Sequence, residues 1–169
     1  MNGFFETKAA LQADEAGLVS GIAWPFGTAD RVGDMIEKGA FAGANLPIPM
    51  LFAHDPRDPV GVWEEIVEDA EGLQVKGRLL VDDLPRAREV RALLMSGAVG
   101  GLSIGFSPKK SFIRKSDGGR TLTALDLAEI SLVSVPCHPG AKVRVKKAAA
   151  SAIALAEALN RAAAALSNV

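Results

Sequence analysis

Apolar and polar residues alternate in short runs through residues 1–145, and glycine or proline closes nearly every run. A period of two is the signature of strands with one buried face. Six short runs of β-type residues between these breaks are candidate strands: 18–24, 48–54, 60–68, 73–80, 102–113 and 122–135. Two pairs of runs read as hairpins. Asp69-Ala70-Glu71-Gly72 joins the third run to the fourth, and Ser116-Asp117-Gly118-Gly119 joins the fifth to the sixth. Glycine in such turns supplies the positive φ that a tight reversal needs. The period changes twice. PRAREVRALLMS, at 85–96, begins on a proline suited to a first helical turn and is followed by Gly97, suited to a stop. Its apolar stripe is Val90, Leu93 and Leu94. A second helix is expected over 148–166, where Leu155, Leu159, Ala162 and Leu166 form one seam. Many short strands between closely spaced turns predict a mainly β fold, a closed or partly closed barrel with flanking helices. The expected division is one domain over 1–147 and an Ala-rich helical tail over 148–169. That tail buries little alone and needs the domain, a twin subunit or a partner to pack on.

Composition narrows the function. The chain of 169 residues suffices for a single core, and 49% hydrophobic with 23% charged residues is ordinary for a soluble globular protein. The formal net charge is −1, with no basic surplus for a phosphate backbone. KVRVKK, at 142–147, is the one basic cluster, and it reads as a strand end or linker. No nucleic-acid partner is expected. The N-terminus MNGFFETKAA lacks the charged-then-apolar order of a signal peptide, and no uncharged apolar stretch of membrane-spanning length occurs. A cytosolic protein without a membrane partner is the expectation. Cys137 is the single cysteine, so no internal disulfide is possible.

Candidate chemistry centres on GGLSIGF, at 100–106. Alternation sends Leu102, Ile104 and Phe106 to one face and Ser103, Gly105 and Ser107 to the other. The second face is bare enough for a substrate backbone to approach. Glycines 97, 100 and 101 free the backbone just before the serine, and nearby N–H groups are candidates for binding an oxyanion. A serine hydroxyl needs a base, and the base needs a third group to fix its tautomer. The chain has two histidines, His54 and His138. His54 ends the apolar run IPMLFAH before Asp55-Pro56, so a strand end that is half reachable is expected for it. LDLAEISLVSVP supplies two carboxylates, Asp126 and Glu129, with Glu129 on the face of Leu127, Ser131 and Val133. Each residue alone also has a structural reading: a strand serine, a hydrogen-bonded strand-end histidine, an acid facing water.

The set resembles the prohead maturation proteases of tailed bacteriophages, whose fold is similar to that of the herpesvirus capsid maturation protease, assemblin. Relatives occur in prophages and gene transfer agents. The stretches carrying the resemblance are GIAWPFGTADRVGDMIEKGAF, PMLFAHDPRDPVGVW, ALLMSGAVGGLSIGF and LDLAEISLVSVPCHPGAKV, in that order, over about residues 18–145. The resemblance implies a serine endopeptidase with Ser103 as nucleophile, His54 as general base and Glu129 orienting His54. It implies no metal and no organic cofactor. It implies, as substrates and partners, the capsid protein with its scaffold or delta segment, and the protease itself. It places the reaction inside the immature prohead in the host cytoplasm, with pairing into a homodimer or higher homo-oligomer. Pro136-Cys137-His138-Pro139 departs from the pattern, since relatives often carry a small residue and asparagine before the proline. Cys137 and His138 therefore look incidental to the chemistry.

Three other readings compete. A metal hydrolase would use the histidines and carboxylates, but no HExxH or CxxC spacing is present. A cysteine hydrolase would use Cys137 and His138, which point to opposite faces of an extended strand. A non-catalytic capsid-assembly module on the same barrel would keep Ser103 for packing and use the tail to bind the shell. Trp24 and Trp63 read as core or rim packing, with substrate contact as the alternative; the Arg31-Val32-Gly33-Asp34 segment as a surface turn or, since Asp30, Arg31 and Asp34 leave it highly polar, a substrate-facing loop; Arg86, Arg88 and Arg91 as a solvated helix face; and Met95 as core.

Overall fold

The computed structural model describes residues 17–144, so the expected tail helix lies outside the described residues. In chain order the elements are β1 (Leu18–Pro25), β2 (Asp34–Ile36), β3 (Ile48–Phe52), β4 (Asp55–Glu68), β5 (Gly72–Leu79), α1 (Pro85–Ser96), β6 (Gly101–Ile113), β7 (Arg120–Val133) and β8 (Lys142–Arg144). Each of the six alternating runs is a strand. β2 and β8 have three residues apiece, too few for a period to register in sequence.

β6, β7, β3, β4, β5, β1 and β8 follow one another round a closed barrel, because β8 pairs back to β6. β2 lies beside it, parallel to β7 at Asp34–Ile36 against Arg120–Leu122. β3 also runs parallel to β7, with Leu51 opposite Ser131. The other pairs are antiparallel, and both expected hairpins, β4–β5 and β6–β7, are formed. Trp63, Met50, Leu102, Ile130 and Leu132 are wholly buried inside. The Trp63 indole N–H donates to Ile130 O at 2.9 Å, so this ring fills the core without leaving a polar atom unpaired.

The closing seam is short. Gly101 faces Lys142, Leu102 N–H donates to Ala141 O at 3.3 Å, and Val143 N–H donates to Gly100 O at 2.9 Å. Beyond it β6 continues from Ser103 to Ile113 paired with β7 on one edge, and among the described residues no strand covers the other. Gly21 permits the closure. A Cβ there would collide with Lys142 O and the Leu102 side chain.

α1 packs on β4 and β5 through Ala87, Val90 and Leu94 and stops at Gly97, whose φ is 81°. Its arginines are not simply solvated. Arg86 donates to Asp58 at 3.0 Å and Glu89 at 2.9 Å, and its guanidinium carbon lies 4.8 Å from the Phe52 ring centre. Arg88 Nη1 donates to Val81 O at 2.7 Å. Met95 is half-buried at the rim.

Candidate functional site

The turn after β3 carries His54. Phe52 pairs with Asp55, which leaves Ala53 and His54 as a two-residue hairpin turn, with φ of 53° and 61°. The strand-end placement expected for His54 therefore becomes a turn placement, and Asp55-Pro56 already begins β4. Two bonds to β7 hold the turn. Ala53 N–H donates to Leu132 O at 3.0 Å, and His54 N–H donates to Ser131 Oγ at 3.0 Å.

The imidazole leans on β7 as well. His54 Nδ1 lies 2.6 Å from Glu129 Oε1, with the histidine side chain 44% exposed and the glutamate 13%. Ser131 Oγ donates to the other carboxylate oxygen, Glu129 Oε2, at 2.7 Å. An ionised Glu129 accepts from both and so assigns the imidazole proton to Nδ1. In a neutral ring that tautomer makes Nε2 the acceptor. Gly105 faces Glu129 across the β6–β7 ladder, and a Cβ at Gly105 would occupy the space of the carboxylate.

Ser103 is one strand further round. It pairs directly with Ser131, so Leu51, Ser131 and Ser103 form one row across β3, β7 and β6. Neighbouring strands stand about 4.8 Å apart. The residue whose hydroxyl holds the His54 backbone is therefore the immediate neighbour of Ser103. Ser103 is 6% exposed, and among the described residues no hydrogen bond joins it to His54. Unliganded sites often show this bond long or open, closing only around substrate.

Asp126, the alternative acid, is exposed and bonded to Lys109 on β6, away from His54. Ser131 is the site residue that sequence reasoning left without a role. Its signal was the i, i+2 spacing from Glu129, which puts both on one face.

A pocket of about 40 Å³ adjoins Ser103, lined also by Trp24, Ile104, Phe106, Cys137 and His138. His138 is structural in its bonding. Its Nδ1 accepts from Gly140 N–H at 3.1 Å, its Nε2 faces Thr28 Oγ1 at 3.1 Å, and its ring packs edge-on against Trp24 at 4.9 Å. Cys137 donates its thiol hydrogen to Asp30 Oδ2 at 3.2 Å. Burial, and then the hydrogen bond to Asp30 and its charge, push the Cys137 thiol above its ordinary pKa, the reverse of what a thiolate nucleophile needs. The Arg31–Asp34 turn is tied to this region. Arg31 Nη1 donates to Pro136 O and to Cys137 O, and Asp30 Oδ1 accepts from Val32 N–H and Asp34 N–H.

The chain matches the caudovirus prohead serine protease family over residues 5–155. The prohead protease of Enterobacteria phage HK97 is 32% identical over 151 residues, covering 85% of this chain and 67% of that protein. The capsid polyprotein of Pseudomonas phage PAJU2 is 32% identical over 136 residues, covering 77% of this chain and 20% of that protein. The prohead protease of Escherichia phage T5 is 28% identical over 125 residues, covering 70% of this chain and 58% of that protein. The chain thus spans about two thirds or less of these relatives' own lengths.

Among solved structures, KSHV protease bound to a hexapeptide phosphonate inhibitor superposes with a TM-score of 0.50 at 16% identity, over 75% of this chain and 63% of that one. The bacteriophage T4 capsid assembly protease gives 0.51 at 14% identity, over 73% and 88%. These likenesses show the fold, a herpesvirus-protease-like β-barrel. Family and relatives agree over most of the sequence, and the chain belongs to the caudovirus prohead serine protease family.

Proposed function

We propose that this chain is a serine endopeptidase of phage capsid maturation, with Ser103 as nucleophile, His54 as general base and Glu129 as the group that orients His54. The observation that carries the reading is the 2.6 Å contact of His54 Nδ1 with Glu129 Oε1, made on the strand that pairs with the one bearing Ser103. Ser103 Oγ attacks the scissile carbonyl as its proton passes to His54 Nε2. His54 then gives that proton to the leaving amine, and an acyl-enzyme remains. Water enters and attacks the ester carbonyl as His54 takes its proton, and His54 returns a proton to Ser103 Oγ as the acyl–oxygen bond breaks and the acid product leaves. Glu129 stabilises the imidazolium at both steps without itself being protonated. The uncovered edge of β6 offers an extended peptide a strand to pair with, next to the nucleophile.

The substrates are the scaffold or delta segment of the capsid protein, and this chain itself, inside the immature prohead in the host cytoplasm. The PAJU2 relative, a capsid polyprotein, supports a close link between protease and shell protein. The protein works as a homodimer or higher homo-oligomer.

A fluorophosphonate probe tests the reading. Wild type is labelled on Ser103 and cuts its neighbouring capsid protein. Ser103→Ala and His54→Ala lose turnover by about 10⁶-fold, and Glu129→Gln loses less, on the order of 10⁴-fold. A folded, assembled wild type that takes no label and yields no fragments would instead establish a non-catalytic assembly module on this barrel. An unchanged rate in Glu129→Gln would remove Glu129 from the scheme.

A further inference from the structure

Gly101 precedes Ser103 by two residues, so the two share a strand face and stand roughly 7 Å apart. Over Gly101 lies Pro136, whose Cδ is 2.7 Å from where a Cβ would stand. Here a groove of about 250 Å³ opens, lined by Gly97, Gly100, Gly101, Pro136 and Pro139. A Cβ at Gly97 or Gly100 would meet nothing within 4 Å, so this part of the lining is bare backbone that an extended chain can approach closely.

Two charged side chains line the groove, Arg31 and Lys142, and no acidic side chain does. Among the described residues neither cation forms an ion pair. Arg31 spends Nη1 on Pro136 O and Cys137 O, which leaves Nε and Nη2 to spare. The nearest acid, Asp30, is committed elsewhere. Its Oδ1 accepts from two backbone N–H groups, its Oδ2 from the Cys137 thiol, and it lines the small pocket that adjoins Ser103. A guanidinium with a free fork and an ammonium in one glycine-lined groove is a receptor for carboxylate.

We propose that this groove is a substrate subsite that takes a carboxylate about two residues from the scissile bond, held by Arg31 and Lys142. The proposal rests on the reading of Ser103 as nucleophile for its position relative to the cut. The spacing follows from the strand rise, since roughly 7 Å is two residues of extended peptide.

Binding is read by amide NMR on the full chain carrying Ser103→Ala. The probes are amidated alanine hexapeptides with one Asp walked through every position, and the matching Asn set. One Asp position binds about fivefold more tightly than its Asn counterpart. That ratio falls by about half in Lys142→Gln and to about one in the Arg31→Gln, Lys142→Gln double variant. In Arg31→Lys, which keeps the charge but loses the two-donor fork, it is reduced yet stays above one. An alanine hexapeptide with a free C-terminus distinguishes the source of the carboxylate: a gain there matching the Asp gain assigns the subsite to a chain end, and none assigns it to a side chain. Equal affinity for acid and amide in every set, or a preference that the double variant leaves intact, overturns the proposal. These outcomes need no cleavage, whereas an unlabelled wild type in the fluorophosphonate experiment overturns the protease reading alone.

Discussion

Ala53 and His54 sit at φ 53° and 61°, left-handed values that cost an L-residue about 1–2 kcal/mol each. A two-residue hairpin of this kind favours Asn-Gly because its central residues need positive φ. The chain keeps Ala-His there and offsets the strain with the bonds to Leu132 O and Ser131 Oγ. Strain of this sort gathers where a side chain must be aimed. Ala53→Gly relieves one left-handed residue and adds chain entropy worth about 0.5–1 kcal/mol to unfolding. The expected net is a stabilisation of up to about 1 kcal/mol, seen as a melting temperature higher by about 2–4 °C. A lower one would show that the turn is not strained. At Cys137 the raised pKa fixes a second outcome. The protonated thiol is favoured in the folded state, so its contribution to stability is present below the unfolded-state pKa and is lost as pH rises through the folded one. At pH 8 iodoacetamide should therefore alkylate Cys137 more slowly in the native chain than in urea, as followed by mass spectrometry. Cys137→Ala should retain cleavage, and its loss would revive a cysteine mechanism.

At the scale of elements, the pairing of β6 with β7 builds the site. Their register sets Ser103 beside Ser131 and Gly105 beside Glu129. A bulge follows, between Gly105 and Phe106, where strict alternation fails. That is why simple counting on β7 put Leu127 on the face of Glu129, whereas the ladder slips by one residue between them. Gly105→Ala puts a methyl where the Glu129 carboxylate rests. The strand should still form, because alanine tolerates extended backbone, but the His54–Glu129 bond should open. Activity then falls by about tenfold or more with a small change in melting temperature, and the imidazole Nδ1 proton resonance is lost from the NMR spectrum. An unchanged proton resonance would show that Glu129 has room to spare. Sequence reading found both strands of this pair from their alternation, and it found the Ser116–Gly119 turn from its glycines. It could not give the register, which depends on which partners bury which faces.

For the whole molecule, closure decides whether the site exists. β8 contributes three residues and holds the seam one to three positions before Ser103. Gly21→Ala drives a Cβ into Lys142 O and Leu102, and overpacking of this kind costs about 1–3 kcal/mol. The variant should melt several degrees lower and label more slowly with fluorophosphonate, because β6 loses its anchor. A wild-type melt would mean that the seam can widen without cost.

By itself the sequence determined six strands, α1, a β-barrel class and the residues available for chemistry, since period and turn residues are local properties written into neighbouring positions. The short β2 and β8 escaped it, because three residues carry no period. Only the tertiary structure decided that His54 occupies a turn, that Ser131 bridges it to Glu129, that Asp126 faces Lys109 instead, and that Arg31 and Lys142 line one groove. Those arrangements bring together residues far apart in the chain, 77 positions for the His54–Ser131 bond and 111 for the two cations that line the groove. They come into being when the barrel closes, and no local pattern can encode them.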